Sequence, residues 1–254
     1  MSTLVPPRPP TVSSTLLEQL DPVLRLCAEL LDGCLPQVDV PEARARIRAG
    51  QVAYDAMRVL RSCGDLHPRF VKVLEAFEVA GLASNEERRE LMASDLDVDD
   101  LVAGWFTGDR TPRDPLRRLS RQAAIVVGNT LLRAATARVG APSLWRGWTR
   151  AVCPCCGGAP DIVLVERGAQ RSLVCARCDA QWRVRRDGCL GCDADETTAI
   201  ARIANPALGY ELVMCNACGR FIKERARRGL EALLVERALT AELDLAAEQR
   251  GLRI

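Results

Sequence analysis

The chain has 254 residues, 35 Lys and Arg against 33 Asp and Glu, 48% hydrophobic residues and 12 cysteines; at this length folding buries roughly 70–75% of the unfolded surface, so its cores need no disulfide staples. A mean hydropathy of −0.02 with no apolar run near the ~20 residues of a membrane helix, and an opening Met1–Ser14 with four prolines where a signal would be apolar, point to a soluble, intracellular protein. The net charge of +2 splits into +1 on residues 1–150 and +1 on residues 151–254, so neither part has the basic surplus that a phosphate-backbone partner attracts.

After a Pro-rich lead, residues 1–14, expected to be disordered, residues 15–150 read as helices. Leu16, Leu20, Val23, Leu24, Leu26, Leu30 and Leu31 recur at helical spacing, and a second run from Pro41 carries Ile47, Val52, Tyr54, Met57, Val59 and Leu60. A third spans Phe70 to Val79. Ser84 and Glu87 have the S-x-x-E spacing of a capping box. Asp114 and Pro115 open a long helix that ends at Gly140 and Pro142. A bundle of four to six helices around one core is expected. His67, the single histidine, stands at a helix entry and reads as a cap or turn residue. Asp95, Asp97, Asp99 and Asp100 lack the glycine and closing glutamate of a calcium loop and read as a solvated helix start. Cys27, Cys34 and Cys63 read as small buried hydrophobes. Trp105, Phe106, Trp145 and Trp148 can serve either the core or a partner.

The remaining nine cysteines fall between positions 153 and 218, in four C-x-x-C units: Cys153/Cys156, Cys175/Cys178, Cys189/Cys192 and Cys215/Cys218. One such unit reads as a redox pair, but eight thiolates are the number for two tetrahedral four-sulfur sites. In such a turn the residue after the second cysteine tends to positive φ, which Gly tolerates freely and Asn or Asp next best. Those residues are Gly157, Asp179, Asp193 and Gly219. The first and third gaps between units are long and the middle one is short. The first gap holds Ile162–Val165, a turn near Arg167 and Gly168, then Leu173 and Val174. The third holds Ile200–Ile203, a break at Asn205, Pro206 and Gly209, then Tyr210–Met214. Each long gap reads as a strand pair, and the short one as a connection. Cys153, Cys156, Cys175 and Cys178 are therefore assigned to one metal and Cys189, Cys192, Cys215 and Cys218 to the other. A cross-braced arrangement, first pair with third, is the alternative. Cys155, inside the first unit, is left as a spectator.

Four thiolates suit zinc and iron alike, so two metal ions per chain, Fe or Zn, are expected. A saturated site has no open position for water, which argues against hydrolytic zinc chemistry and for a protein that is not an enzyme. Two divalent ions with eight thiolates add −4 to the second part of the chain, the wrong direction for a nucleic-acid-binding ribbon. The clusters Arg183, Arg185, Arg186 and Arg225, Arg227, Arg228 read as solvated strand and helix-start positions. A last helix, from about Gly229 to Gly251, carries Leu230, Leu233, Leu234, Ala238, Leu239 and Leu243. The expected fold is α+β: an N-terminal α-helical bundle over 15–150, two tandem zinc-ribbon modules over 151–224 and a C-terminal helix over 225–254.

The knuckles, read together, resemble the formate dehydrogenase accessory protein FdhE family. The resemblance rests on C-P-C-C-G at Cys153–Gly157, C-A-R-C-D-A-Q-W at Cys175–Trp182, C-L-G-C at Cys189–Cys192, C-N-A-C-G-R-F-I-K at Cys215–Lys223, and a closing helix with Leu243, Asp244 and Glu248. It implies two rubredoxin-like sites, with iron as the family expectation. It also implies a cytoplasmic maturation factor that binds the catalytic subunit of a respiratory formate dehydrogenase, with a possible homodimer. A rubredoxin-type electron carrier is the alternative, and a nucleic-acid-binding zinc ribbon a further one that the charge disfavours.

Overall fold

The computed structural model describes residues 14–253 apart from 32–34, 109–111, 167–169, 185–187, 193, 195–198, 207 and 227–232. The expectations placed on the lead, Cys34, Gly168, Arg185, Arg186, Asp193, Arg227, Arg228, Gly229 and Leu230 lie outside the described residues. Among the described residues no helix is long and apolar enough to cross a membrane.

Among the described residues seven α-helices precede the sheet: α1 (Ser14–Glu29), α2 (Val40–Arg48), α3 (Ala56–Arg61), α4 (His67–Val79), α5 (Asn85–Ala93), α6 (Val98–Thr107) and α7 (Pro115–Val139). There are more of them than the four to six expected, because the run from Pro41 is two helices. Gly50 closes α2 at φ +72°, and Asp55 starts α3 by accepting from the Arg58 amide; a new cap restarts the helix and resets its direction. The Ser84–Glu87 capping box forms with both of its bonds. Asp97 caps α6 by accepting from the amides of Asp99 and Asp100, so the acidic run is a helix start. His67 opens α4, its amide donating to Asp65, and Cys27 and Cys63 are buried in the core. The axis of the bundle is α7, where Ala123, Ala124, Val127, Leu131, Leu132 and Ala135 have no exposed surface.

Six strands follow among the described residues: β1 (Pro160–Val165), β2 (Arg171–Cys175), β3 (Gln181–Val184), β4 (Ile200–Asn205), β5 (Tyr210–Cys215) and β6 (Phe221–Ala226). The two modules do not stand apart. They share one sheet of order β3-β2-β1-β6-β5-β4, antiparallel within each module and joined by a parallel pairing of Ile162–Val165 with Lys223–Ala226. The first strand of one module meets the third of the other, so the modules repeat head to tail and not about a two-fold.

Tryptophans fasten the first module to the bundle. Trp145 donates to the Gln181 carbonyl at 2.8 Å, Trp182 to that of Arg150 at 3.1 Å and Trp148 to that of Val152 at 2.8 Å. All three rings are buried, and one hydrophobic core runs from α1 through Val163, Leu173 and Trp182. Large rings with one donor suit such a seam, because the apolar body is buried while the N–H satisfies a carbonyl.

The expected last helix is two, α8 (Leu233–Leu239) and α9 (Ala241–Gln249), broken at Thr240. The Thr240 hydroxyl donates back to the Glu236 carbonyl and accepts from the Lys223 ammonium, which takes the side chain out of the helical pattern. Ionic contacts hold both helices on the sheet. Lys223 is 1% exposed and reaches Asp244 at 2.6 Å. Arg225 is paired with buried Glu236, which also accepts from Tyr210; this replaces the solvated position expected for Arg225, because α8 covers it. Arg237 donates to Asp161 at 2.7 Å, to Asp179 at 2.7 Å and to the Cys175 carbonyl at 2.9 Å. Burial works to raise the Asp161 carboxyl, but Arg237 and Lys223 outweigh it and hold the group below its ordinary range.

Replacing one member of such a buried set leaves the others uncompensated, which costs about 3–5 kcal/mol. Arg237→Met is expected to lose about that much stability in denaturant unfolding at neutral pH. Arg237→Lys should recover only part of it, since one ammonium cannot bridge two carboxylates and a carbonyl as a planar guanidinium fork does.

Candidate metal centres

Each module carries its cysteines at the ends of its first two strands. One knuckle precedes β1 and another follows β2; the third precedes β4 and the fourth follows β5. All four turns use the same backbone bond, the amide of the first cysteine donating to the carbonyl five residues on: Cys153 to Gly158, Cys175 to Ala180, Cys189 to Ala194 and Cys215 to Arg220, at 2.8–3.0 Å. The turn aims neighbouring amides at sulfur. Cys155 donates to Cys153 Sγ at 3.3 Å, Arg177 to Cys175 Sγ at 3.4 Å and Gly191 to Cys189 Sγ at 3.2 Å. Gly157, Asp179 and Gly219 take φ of 73°, 57° and 69°, as the knuckle pattern anticipates. Asp179 is the one non-glycine at positive φ among the described residues.

The turns bring the eight sulfurs into two sets of four. Cys153, Cys156, Cys175 and Cys178 lie within 4.8 Å of one another, and so do Cys189, Cys192, Cys215 and Cys218. The sets are sequential and not cross-braced. Cys155 is outside both; its backbone serves the knuckle, its carbonyl accepting from the Tyr54 amide at 3.1 Å. The nearest sulfurs are 3.6 Å (Cys153–Cys178), 3.5 Å (Cys156–Cys175), 3.6 Å (Cys189–Cys218) and 3.7 Å (Cys192–Cys215) apart. Disulfide sulfurs are bonded at about 2.05 Å, whereas the edge of a tetrahedron with metal–sulfur bonds of about 2.3 Å is about 3.8 Å. The spacing is that of ligands around an ion.

Charge leads to the same reading. Four sulfurs this close resist joint ionisation. In the first set burial above all pushes the Cys153 and Cys175 thiols well up. Burial acts on Cys178 too, but hydrogen bonds from the other three sulfurs and from Thr136 outweigh it and bring this thiol well below its ordinary value. In the second set Cys215 comes down to about 7, the amides of Cys218 and Ala217 prevailing over burial, while burial lifts Cys218 to about 12. A dication at the centre removes the conflict and lets all four sulfurs remain thiolates, so the donor sets fit a four-coordinate Zn(II) or Fe(II). Two such ions could be held by one chain.

Residues that sequence reasoning passed over surround the first set. Tyr54, in the loop between α2 and α3, is buried and bonds Thr136 of α7 at 2.8 Å. Thr136 in turn helps to hold the Cys178 thiol down. Asn129 of α7 donates to the Arg177 carbonyl and to Asp179, each at 3.1 Å. Asp179 thus ties the knuckle to α7 and, through Arg237, to α8. Only its tolerance of positive φ was visible in the sequence, because its partners are supplied by helices far from the knuckle along the chain.

A solved FdhE protein from Pseudomonas aeruginosa aligns over 95% of this chain and 91% of its own, with a TM-score of 0.62 and 17% identity. This chain has the FdhE fold. Curated FdhE sequences agree in part: the FdhE homolog of Enterobacter sp. (strain 638) is 29% identical over 111 residues, 41% of this chain and 36% of that protein. FdhE of Salmonella paratyphi B is 29% identical over 80 residues, 30% of this chain and 26% of that one. The chain spans about a third of the length of the curated FdhE relatives it matches. No protein-family model matches it. The resemblance to the FdhE family read from the four knuckles therefore holds in sequence and in fold.

If each set of four grips one ion, Cys175→Ser and Cys215→Ser should each lower the metal content of anaerobically purified protein by one equivalent, by elemental analysis. Cys155→Ser should leave it unchanged. At position 179, Asp→Gly should destabilise the protein although it relieves the backbone, because it releases Arg237 and Asn129; a rise in unfolding midpoint would contradict this.

Proposed function

We propose that this chain is a formate dehydrogenase accessory factor. It binds the catalytic subunit of a respiratory formate dehydrogenase in the cytoplasm and supports its activation, and the two ions in its four-cysteine sets shape the binding surface without catalysing a reaction. The observation that carries this reading is the pair of four-sulfur sets, each with enough donors to fill a tetrahedral ion, on an FdhE fold. With four protein thiolates per ion there is no vacant position for substrate or water, so such a centre organises backbone and surface in place of activating a bond.

The chemistry supplied by a bound ion is cohesion. Each ion would join a turn before one strand to a turn after the next, and the free energy of binding becomes free energy of folding for a module with few apolar residues of its own. In the second module Val213 and Ile222 reach the main core, while Leu212, Phe221 and Ala247 form a small cluster of their own with Met214 and Leu252 beside it. Iron or zinc would serve equally for this purpose.

Tagged full-length protein, purified without oxygen and carrying two equivalents of metal, should retain the formate dehydrogenase catalytic subunit on an affinity column. The Cys215→Ser protein should retain several-fold less. Absence of the subunit from the wild-type eluate would overturn the proposal.

A further inference from the structure

The two sulfur sets differ in how they meet solvent. Around the first, Cys153, Cys175 and Cys178 are at most 1% exposed and Cys156 is 6% exposed. The loop before α3 closes over it: the Ala53 amide donates to the Pro154 carbonyl at 2.9 Å and the Tyr54 amide to that of Cys155. Tyr54 and Thr136 fill the space behind. A ligand can approach this set only when the bundle parts from the knuckle. In the second set Cys192 is exposed and Cys218 half-buried.

The other two sulfur-bearing residues of that second set, Cys189 and Cys215, line a cavity of about 330 Å³ between the modules. Arg150, Arg171, Arg202 and Arg220 line it too, and among the described residues no acidic side chain does. Glu224, set back from it, pairs with both Arg171 and Arg202 and fixes them. The second centre is thus open on its Cys192 side and bordered on the other by four guanidinium groups, of which Arg171 is paired with Glu224 and Arg202 with both Glu224 and Glu211.

Resting on the reading that each set holds an ion, we propose that the second centre is a metal-exchange site for external thiolates and that the first is a locked structural site. An incoming thiolate forms a bond to the second ion as the bond to Cys192 breaks. The freed Cys192 thiolate takes a proton from water, and the ion keeps its oxidation state. The first ion leaves only through local opening of the contact between bundle and knuckle, at the cost that such opening carries.

The test uses the full chain with two equivalents of zinc, the coloured chelator 4-(2-pyridylazo)resorcinol as acceptor and glutathione as the thiolate probe. Release should occur in two phases of one equivalent each, with rates at least about 100-fold apart because only the slow phase needs local opening. Glutathione should accelerate the fast phase alone, and Cys192→Ser should abolish it while the slow phase persists. In unmutated protein, brief N-ethylmaleimide treatment followed by peptide mass mapping should find Cys192 and Cys218 labelled before any cysteine of the first set. Two equivalents leaving at a single rate, or first-set cysteines labelled first, would overturn the inference. Fewer than two equivalents bound at the outset would overturn the two-ion reading on which it rests.

Discussion

Four sulfur atoms held within 4.8 Å of one another cannot all carry charge without a cation among them, and the second half of this molecule brings two such sets together. The short strands between knuckles, the amides turned toward sulfur and the tolerance of positive φ after each second cysteine all make the sulfurs converge. The strands do not form two independent cores. They pair across β1 and β6 into one sheet, so each module gains a neighbour's backbone as a partner.

That shared sheet separates the surroundings of the two centres. The first module lies against α7 and the loop before α3, with tryptophan N–H groups and the Tyr54–Thr136 pair sealing it. The second touches the same core through Val213 and Ile222, but its outer cysteines Cys192 and Cys218 meet solvent. Two motifs of nearly identical local form thus acquire different chemistry from their positions alone. A sulfur set inside a packed core is confined by the cost of opening that core; one at the margin lacks that confinement.

The C-terminal helices bury Val235 and Ala247 and are also held by charge. Lys223, Arg225 and Arg237 each reach a carboxylate on a different element of the fold, and they do so beneath α8 and α9. Pairs in such places contribute little net stability against apolar replacements, yet losing one partner is costly. We read them as fixing where the helices sit: Arg237 ties α8 to the knuckle of Asp179, and Lys223 ties the helix break at Thr240 to the strand that joins the modules.

The fold was legible in the sequence where its signals are local. Capping residues at Ser84, Asp97 and Asp114, the strand pairs in the two long gaps and the Cys-x-x-Cys turns all depend on residues a few positions apart, and they appear as read. The helix boundary at Gly50 and the break at Thr240 escaped notice, because apolar periodicity continues through both while a cap and a side chain from another element override it.

By itself the sequence determined which eight cysteines could serve as ligands and how the turns around them are built, since a knuckle is made of consecutive residues. The tertiary structure decided between the sequential sets read from the gaps and their cross-braced alternative, and it alone decided that the modules share a sheet, that Lys223 is buried and Arg225 covered, and that one centre is sealed while the other is open. Those are facts about which distant segments cover one another, and burial of a group by a partner from another part of the chain leaves no mark in the residues beside it.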